Sequence, residues 1–191
     1  MRRVRPFVIL LVLPLCACAV ASSEYSAIDS CLDGGKAWNY RSSRCETSDP
    51  GPVDLIRVDK SEHLMTVFRK GHPVREFRVA LGRGDPGPKQ QQGDGRVPEG
   101  SYRITAHNPN SAFHLSLRIG YPTAQQIAAA ARLGVRPGGD IMIHGLPNDR
   151  GRIGSRHTSV DWTEGCVAVT NREMDWLYTA VSDGTPVEIS G

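Results

Sequence analysis

Asp161-Trp162-Thr163-Glu164-Gly165-Cys166-Val167-Ala168-Val169-Thr170 is the stretch on which the fold turns. The apolar run after Gly165 predicts a short buried strand over Cys166–Val169 that starts at a glycine turn. Glycine before cysteine lets the backbone turn tightly, leaving the thiol and the nearby N–H groups free to face a substrate carbonyl. Downstream, Thr170 and Glu173 form a capping box that opens a helix over Thr170–Val181. Met174, Leu177, Tyr178 and Val181 recur at i, i+3, i+4 and i+7, the pattern of a core-facing stripe.

Upstream, Asp140–His144 reads as a short apolar strand ending in His144-Gly145. A histidine at a strand end is anchored by the sheet, faces a loop and carries little core packing. With Cys166, it suggests a thiol nucleophile and its general base. The plainer alternative is a small buried cysteine and a structural histidine.

Further out, period-two patterning predicts strands over Val53–Asp59, with Val53, Leu55 and Arg57 on one face, and over His63–Arg69 and Val74–Leu81. Tyr102–Ala106, Phe113–Ile119 and Pro186–Ser190 read the same way. A second capping box, Thr123/Gln126, starts a helix over Thr123–Leu133. Gly82–Gly100 is a long loop. Its Gly82–Gly87 segment matches GxGxxG, but Pro86, Pro88, Gly93 and Gly95 forbid the helix that a dinucleotide site needs. The expectation is a mainly β domain with two helices, a sandwich or barrel-like fold, over residues 53–191.

Residues 1–21 read as a signal peptide: Arg2, Arg3 and Arg5, then the apolar run Phe7–Leu15, then small residues. Two processing sites compete. Ala19-Val20-Ala21 suits ordinary cleavage, and Leu15-Cys16-Ala17-Cys18 is similar to a lipobox with Cys18 as the lipidated residue. Either places the protein beyond the cytoplasmic membrane, which it would touch only through a lipid anchor. Without those three arginines the 23 basic residues fall to 20, against 20 acidic ones. That neutral balance argues against a nucleic-acid partner. Residues 22–52 form a polar extension and linker. Cys31 and Cys45 there favour a disulfide in an oxidising compartment; a metal pair has no CxxC and no nearby His in support. Cys166 is left unpaired.

The chain resembles the L,D-transpeptidase catalytic domain (YkuD) family, whose signature is His-Gly, a spacer, then Ser/Thr-His-Gly-Cys, one residue, and Arg or Asn. His144-Gly145, Thr163-Glu164-Gly165-Cys166 and Val97-Pro98-Glu99-Gly100-Ser101-Tyr102 carry the resemblance over about Val53–Ser190. Glu164 stands where most members have His, and Ala168 where most have Arg or Asn. Phe113–Leu117, Gly139–Pro147 and Asp161–Thr170 are similar instead to the YafK-like branch, which includes enzymes that cut peptidoglycan from an anchored lipoprotein.

The resemblance implies a YkuD-like β-sandwich that needs no cofactor or metal. It implies that Cys166 attacks a carbonyl at the L-centre of diaminopimelate in a peptidoglycan stem peptide. His144 would take the thiol proton, the Gly145 carbonyl would orient the imidazole, and N–H groups around Gly165 and Cys166 would hold the oxyanion. Thr163 and Glu164 would border the substrate. Glu164 would repel a carboxylate donor, raise the thiol pKa, or pair with a lysine of a lipoprotein substrate. The competing expectation is a peptidoglycan-binding envelope module that has lost catalysis. A papain-like protease is disfavoured, since it needs a Cys early on a helix, whereas here His precedes a Cys at a strand.

Overall fold

The computed structural model describes residues 16–49 and 51–191. Most of the expected signal segment, positions 1–15, lies outside the described residues, as does the side chain of Cys18. From Cys16 the chain is helical, and α1 runs Cys16–Asp33. A hairpin follows, β1 (Ala37–Asn39) against β2 (Arg44–Glu46). The Cys31–Cys45 disulfide ties this hairpin to α1. Ile28, Cys31, Leu32 and Trp38 bury together as a small core of their own. The extension is therefore a packed unit. Its helix falls outside the two expected ones, because only Ile28, Cys31 and Leu32 of its described residues form an apolar strip.

The domain proper is one ladder of eight strands: β3 (Leu55–Asp59), β4 (Leu64–Arg69), β5 (His72–Arg78), β6 (Gly100–Ser111), β7 (His114–Ile119), β8 (Met142–His144), β9 (Val167–Ala168) and β10 (Pro186–Ser190). Their spatial order is β5-β4-β3-β10-β6-β7-β8-β9. Only β10–β3 and β8–β9 are parallel. The twelve-residue β6 serves both layers of the expected sandwich. Its start, Gly100–Arg103, pairs with β10, and from Ile104 onward it pairs with β7, with an irregularity between Ile104 and Ala106. Past β5, Ala80 bridges Ala168, so the two ends of the ladder meet.

The curl encloses Ile56, Met65, Phe77, Ile104, Leu117, Ile119, Ile143, Met174 and Leu177, all buried. Each such side chain contributes about 1.5–3 kcal/mol by leaving water. On β3 the buried face is Ile56 and Val58, while Arg57 points out to Glu188. Leu55 and Arg57 share the opposite face, as expected, and the deep residues are the even ones. α2 (Ala124–Arg132) and α3 (Asn171–Ala180) start at the two capping boxes named above, Thr123/Gln126 and Thr170/Glu173. A 3-10 helix at Gly151–Ser159, kinked at Gly154, was not expected. It rests on α1, where Asp29 accepts from Ser155 N at 2.7 Å.

Candidate active site

The parallel pairing of β8 and β9 sets Ile143 beside Val167 and His144 beside Ala168. Side chains two residues apart on a strand share a face, so this register carries Cys166, one step before β9, to the face that presents His144. The Cys166 thiol accepts from Met142 N at 3.4 Å and donates to the Asp140 carbonyl at 3.6 Å. His144 donates from Nδ1 to the Gly145 carbonyl at 2.7 Å, which leaves Nε2 as the lone-pair nitrogen. A Cβ on Gly145 would sit 2.7 Å from Asn171 Oδ1 and 3.0 Å from the Phe113 carbonyl. Only glycine fits that bend.

His144 is not the lightly packed residue expected of a strand end. It is 4% exposed and clusters with the rings of Phe113, 4.6 Å away, and Trp162, 5.6 Å away, which also touch each other. Burial lowers its pKa, against the pull of the Gly145 carbonyl. Burial also raises the Cys166 pKa, opposed by the Met142 amide and by the charge of Lys89. Both shifts favour the uncharged forms, a thiol and an imidazole.

The turn at Gly165 is built by Thr163. Its Oγ1 accepts from Gly165 N at 3.2 Å and Cys166 N at 3.0 Å, and donates to the Cys166 carbonyl at 2.8 Å. That uses the hydroxyl's full hydrogen-bonding capacity. The two amides expected to face an oxyanion therefore face Thr163 at rest. Gly165 has φ +121°, and a Cβ there would meet the Arg96 carbonyl at 2.6 Å. Glu164 points outward, two-thirds exposed, and pairs with Arg83 at 2.5 Å. Ala168 is fully buried, with its backbone bonded in both directions to Ala80.

The sequence of the chain belongs with this geometry. The profile of the L,D-transpeptidase catalytic domain, YkuD, matches residues 54–189. The chain belongs to that family. YafK of Escherichia coli (strain K12) is 31% identical over 138 residues, covering 69% of this chain and 48% of YafK. The chain thus spans about half the length of that relative. Pgp2 of Campylobacter jejuni, a helical cell shape determining protein, is 23% identical with a TM-score of 0.56, over 73% of this chain and 48% of Pgp2. An L,D-transpeptidase of Xylanimonas cellulosilytica is 16% identical with a TM-score of 0.50, over 78% and 66% of the two chains. At those identities the two structures show a shared fold.

This YkuD domain also brings together residues that its sequence did not mark. Lys89, its side chain 3% exposed, bonds Asp94 at 2.7 Å inside the Gly82–Gly100 loop. Burial opposes ionisation of Asp94, but the Gln91, Gln90 and Arg96 amides and Lys89 outweigh it and hold its pKa at about 2. His157, on the 3-10 helix, is buried with neither ring nitrogen partnered, and Trp162 Nε1 is likewise unpaired. Burial and repulsion by His144 hold the His157 pKa down at about 4. Among the described residues no group of three His, Cys, Asp or Glu could hold a metal. None of the described helices is long and apolar enough to cross a membrane.

Proposed function

We propose that this YkuD domain acts on diaminopimelate-containing peptidoglycan stem peptides through a thioester on Cys166. The observation that carries the proposal is the geometry of His144, its Nδ1 tied to Gly145 and its Nε2 left to take a proton, on the strand beside Cys166. His144 Nε2 takes the Cys166 proton as sulfur bonds to the carbonyl carbon, and negative charge moves to the carbonyl oxygen. The Gly165 and Cys166 amides turn from Thr163 Oγ1 to this oxyanion. Collapse breaks the C–N bond, and the imidazolium returns its proton to the leaving amine. An incoming amine or water then attacks the thioester, with His144 again as base, and the thiol is restored.

Transfer and hydrolysis differ only in that second nucleophile. Glu164 supports a lipoprotein-linked substrate that presents a free, cationic lysine near the scissile amide, because its present partner, Arg83, is an exposed cation that such a lysine can replace. The Cys31–Cys45 disulfide supports work in an oxidising, extracytoplasmic compartment.

The test is mass spectrometry of tetrapeptide muropeptides and lipoprotein-linked muropeptides after incubation with the protein and with Cys166→Ala. Cys166-dependent release of the lipoprotein is the expected result. Crosslinked dimers from the first substrate, with no cleavage of the second, would establish transpeptidation instead. No Cys166-dependent product from either would leave a non-catalytic peptidoglycan-binding module.

A further inference from the structure

Seven buried side-chain nitrogens lack a hydrogen-bond partner among the described residues. Three belong to His157 and Trp162, beside the site above. The other four are Trp38 Nε1, Trp176 Nε1, Arg75 Nε and Arg69 Nη2. All four residues line one cleft of about 370 Å³, between the stapled hairpin β1–β2 and strand β5. None of its lining residues belongs to the His144–Cys166 site. We propose that this cleft binds a neutral chain of N-acetylated amino sugars.

The donor inventory dictates the chemistry. Indole and guanidinium nitrogens only donate, so the complementary ligand must be rich in acceptors. Leaving one such buried donor unmet costs about 1–3 kcal/mol, and here four are gathered. Trp38, Trp176 and Arg75 are each at least nine-tenths buried. The Arg75 guanidinium is fixed over the Trp176 ring at 4.9 Å, with one nitrogen on Ser48 Oγ at 3.4 Å. The four nitrogens lie beneath the wall's surface, so uptake requires these side chains to turn toward the ligand.

Charge then selects among acceptor-rich ligands. Arg41 is paired with Glu76 and Arg69 with Asp49, and Glu173 stands behind Arg75 as counter-charge. The wall therefore has little net field for a free anion. Pro73 and the half-exposed Val74 add an apolar side. Acetamido carbonyls and hydroxyls would meet the donors, while methyl groups and sugar C–H faces would cover Pro73 and Val74. The volume lies within the roughly 300–1,000 Å³ typical of small-ligand sites. If the function proposed above holds, the natural ligand is the glycan strand that bears the stem peptides; that clause alone rests on it.

Tetra-N-acetylchitotetraose, which carries no stem peptide, is titrated into ¹⁵N-labelled full chain. We expect saturable shifts of the Trp38 and Trp176 indole N–H resonances, with the Trp162 indole as an unmoved control. Trp38→Phe keeps an aromatic ring, though a smaller one, but loses the donor, and should weaken binding about fivefold. Trp176→Phe gives a second reading if the first variant misfolds, judged from its amide spectrum. Cys166→Ala should bind like the parent, so a failure of the catalytic proposal stays separate from a failure here. Absence of saturation, shifts confined to Trp162, or a response to inorganic phosphate but not to the sugar would overturn the proposal.

Discussion

His144 gives its Nδ1 proton to the carbonyl of Gly145, the next residue in the chain, at 2.7 Å. The bond fixes one tautomer without a carboxylate. Burial, the larger influence on its pKa, lowers it and so favours the neutral imidazole.

Alkylation of Cys166 should therefore follow a raised thiol pKa. We expect slow labelling by iodoacetamide at neutral pH and a rise that continues beyond the ordinary thiol range of about 8.5. Lys89→Met removes the cation that draws the pKa down, and should shift the profile to higher pH. A plateau already reached near pH 6 would mean a preformed thiolate–imidazolium pair.

His144→Gln should lower the rate of acyl-enzyme formation by about 10²–10⁴-fold while largely filling the space against Phe113 and Trp162. His144→Ala should cost stability as well, since it empties a buried slot. The paired measurement is acylation rate and thermal midpoint. Equal acylation by the Gln variant and the parent would remove His144 as the base.

Acid should destabilise the fold through His157. Its folded pKa of about 4 lies below the unfolded value of 6.5, so the unfolded chain binds a proton first. The stability from keeping it neutral is complete above pH 6.5. It is lost as pH falls through about 4, by roughly 3 kcal/mol in all. Urea melts between pH 7.5 and 4 measure this, and His157→Phe should flatten much of the slope. The part that remains includes His144, shifted in the same direction. An unchanged slope in the variant would show that His157 does not titrate this way.

Gly165→Ala should lose both stability and activity. The added Cβ meets the Arg96 carbonyl at 2.6 Å in a backbone with φ +121°. We expect a loss of about 2 kcal/mol or more, with any remaining folded protein labelling at Cys166 differently from the parent. A variant as stable and as active as the parent would show that the turn relaxes freely.

What the sequence by itself determined is local. Alternation marked six strands of the main ladder and short apolar runs marked β8 and β9, although β6 runs five residues past its expected end at Ala106. Thr123/Gln126 and Thr170/Glu173 marked both helix starts, because a capping box is satisfied within four residues. The motif residues His144 and Cys166 stood out because a glycine adjoins each at a strand end. Only the tertiary structure decided the rest. Closure of the ladder at Ala80–Ala168, the approach of Lys89 to the thiol and the burial of His157 beside His144 all join segments far apart in the chain. Nothing within either segment records such a meeting, since a lysine in a glycine-rich loop and a histidine in a polar stretch look solvated until the sheet curls. Thr163 shows the same limit at short range: its hydroxyl is an ordinary turn feature in sequence, and only the fold shows that it holds the amides beside the cysteine.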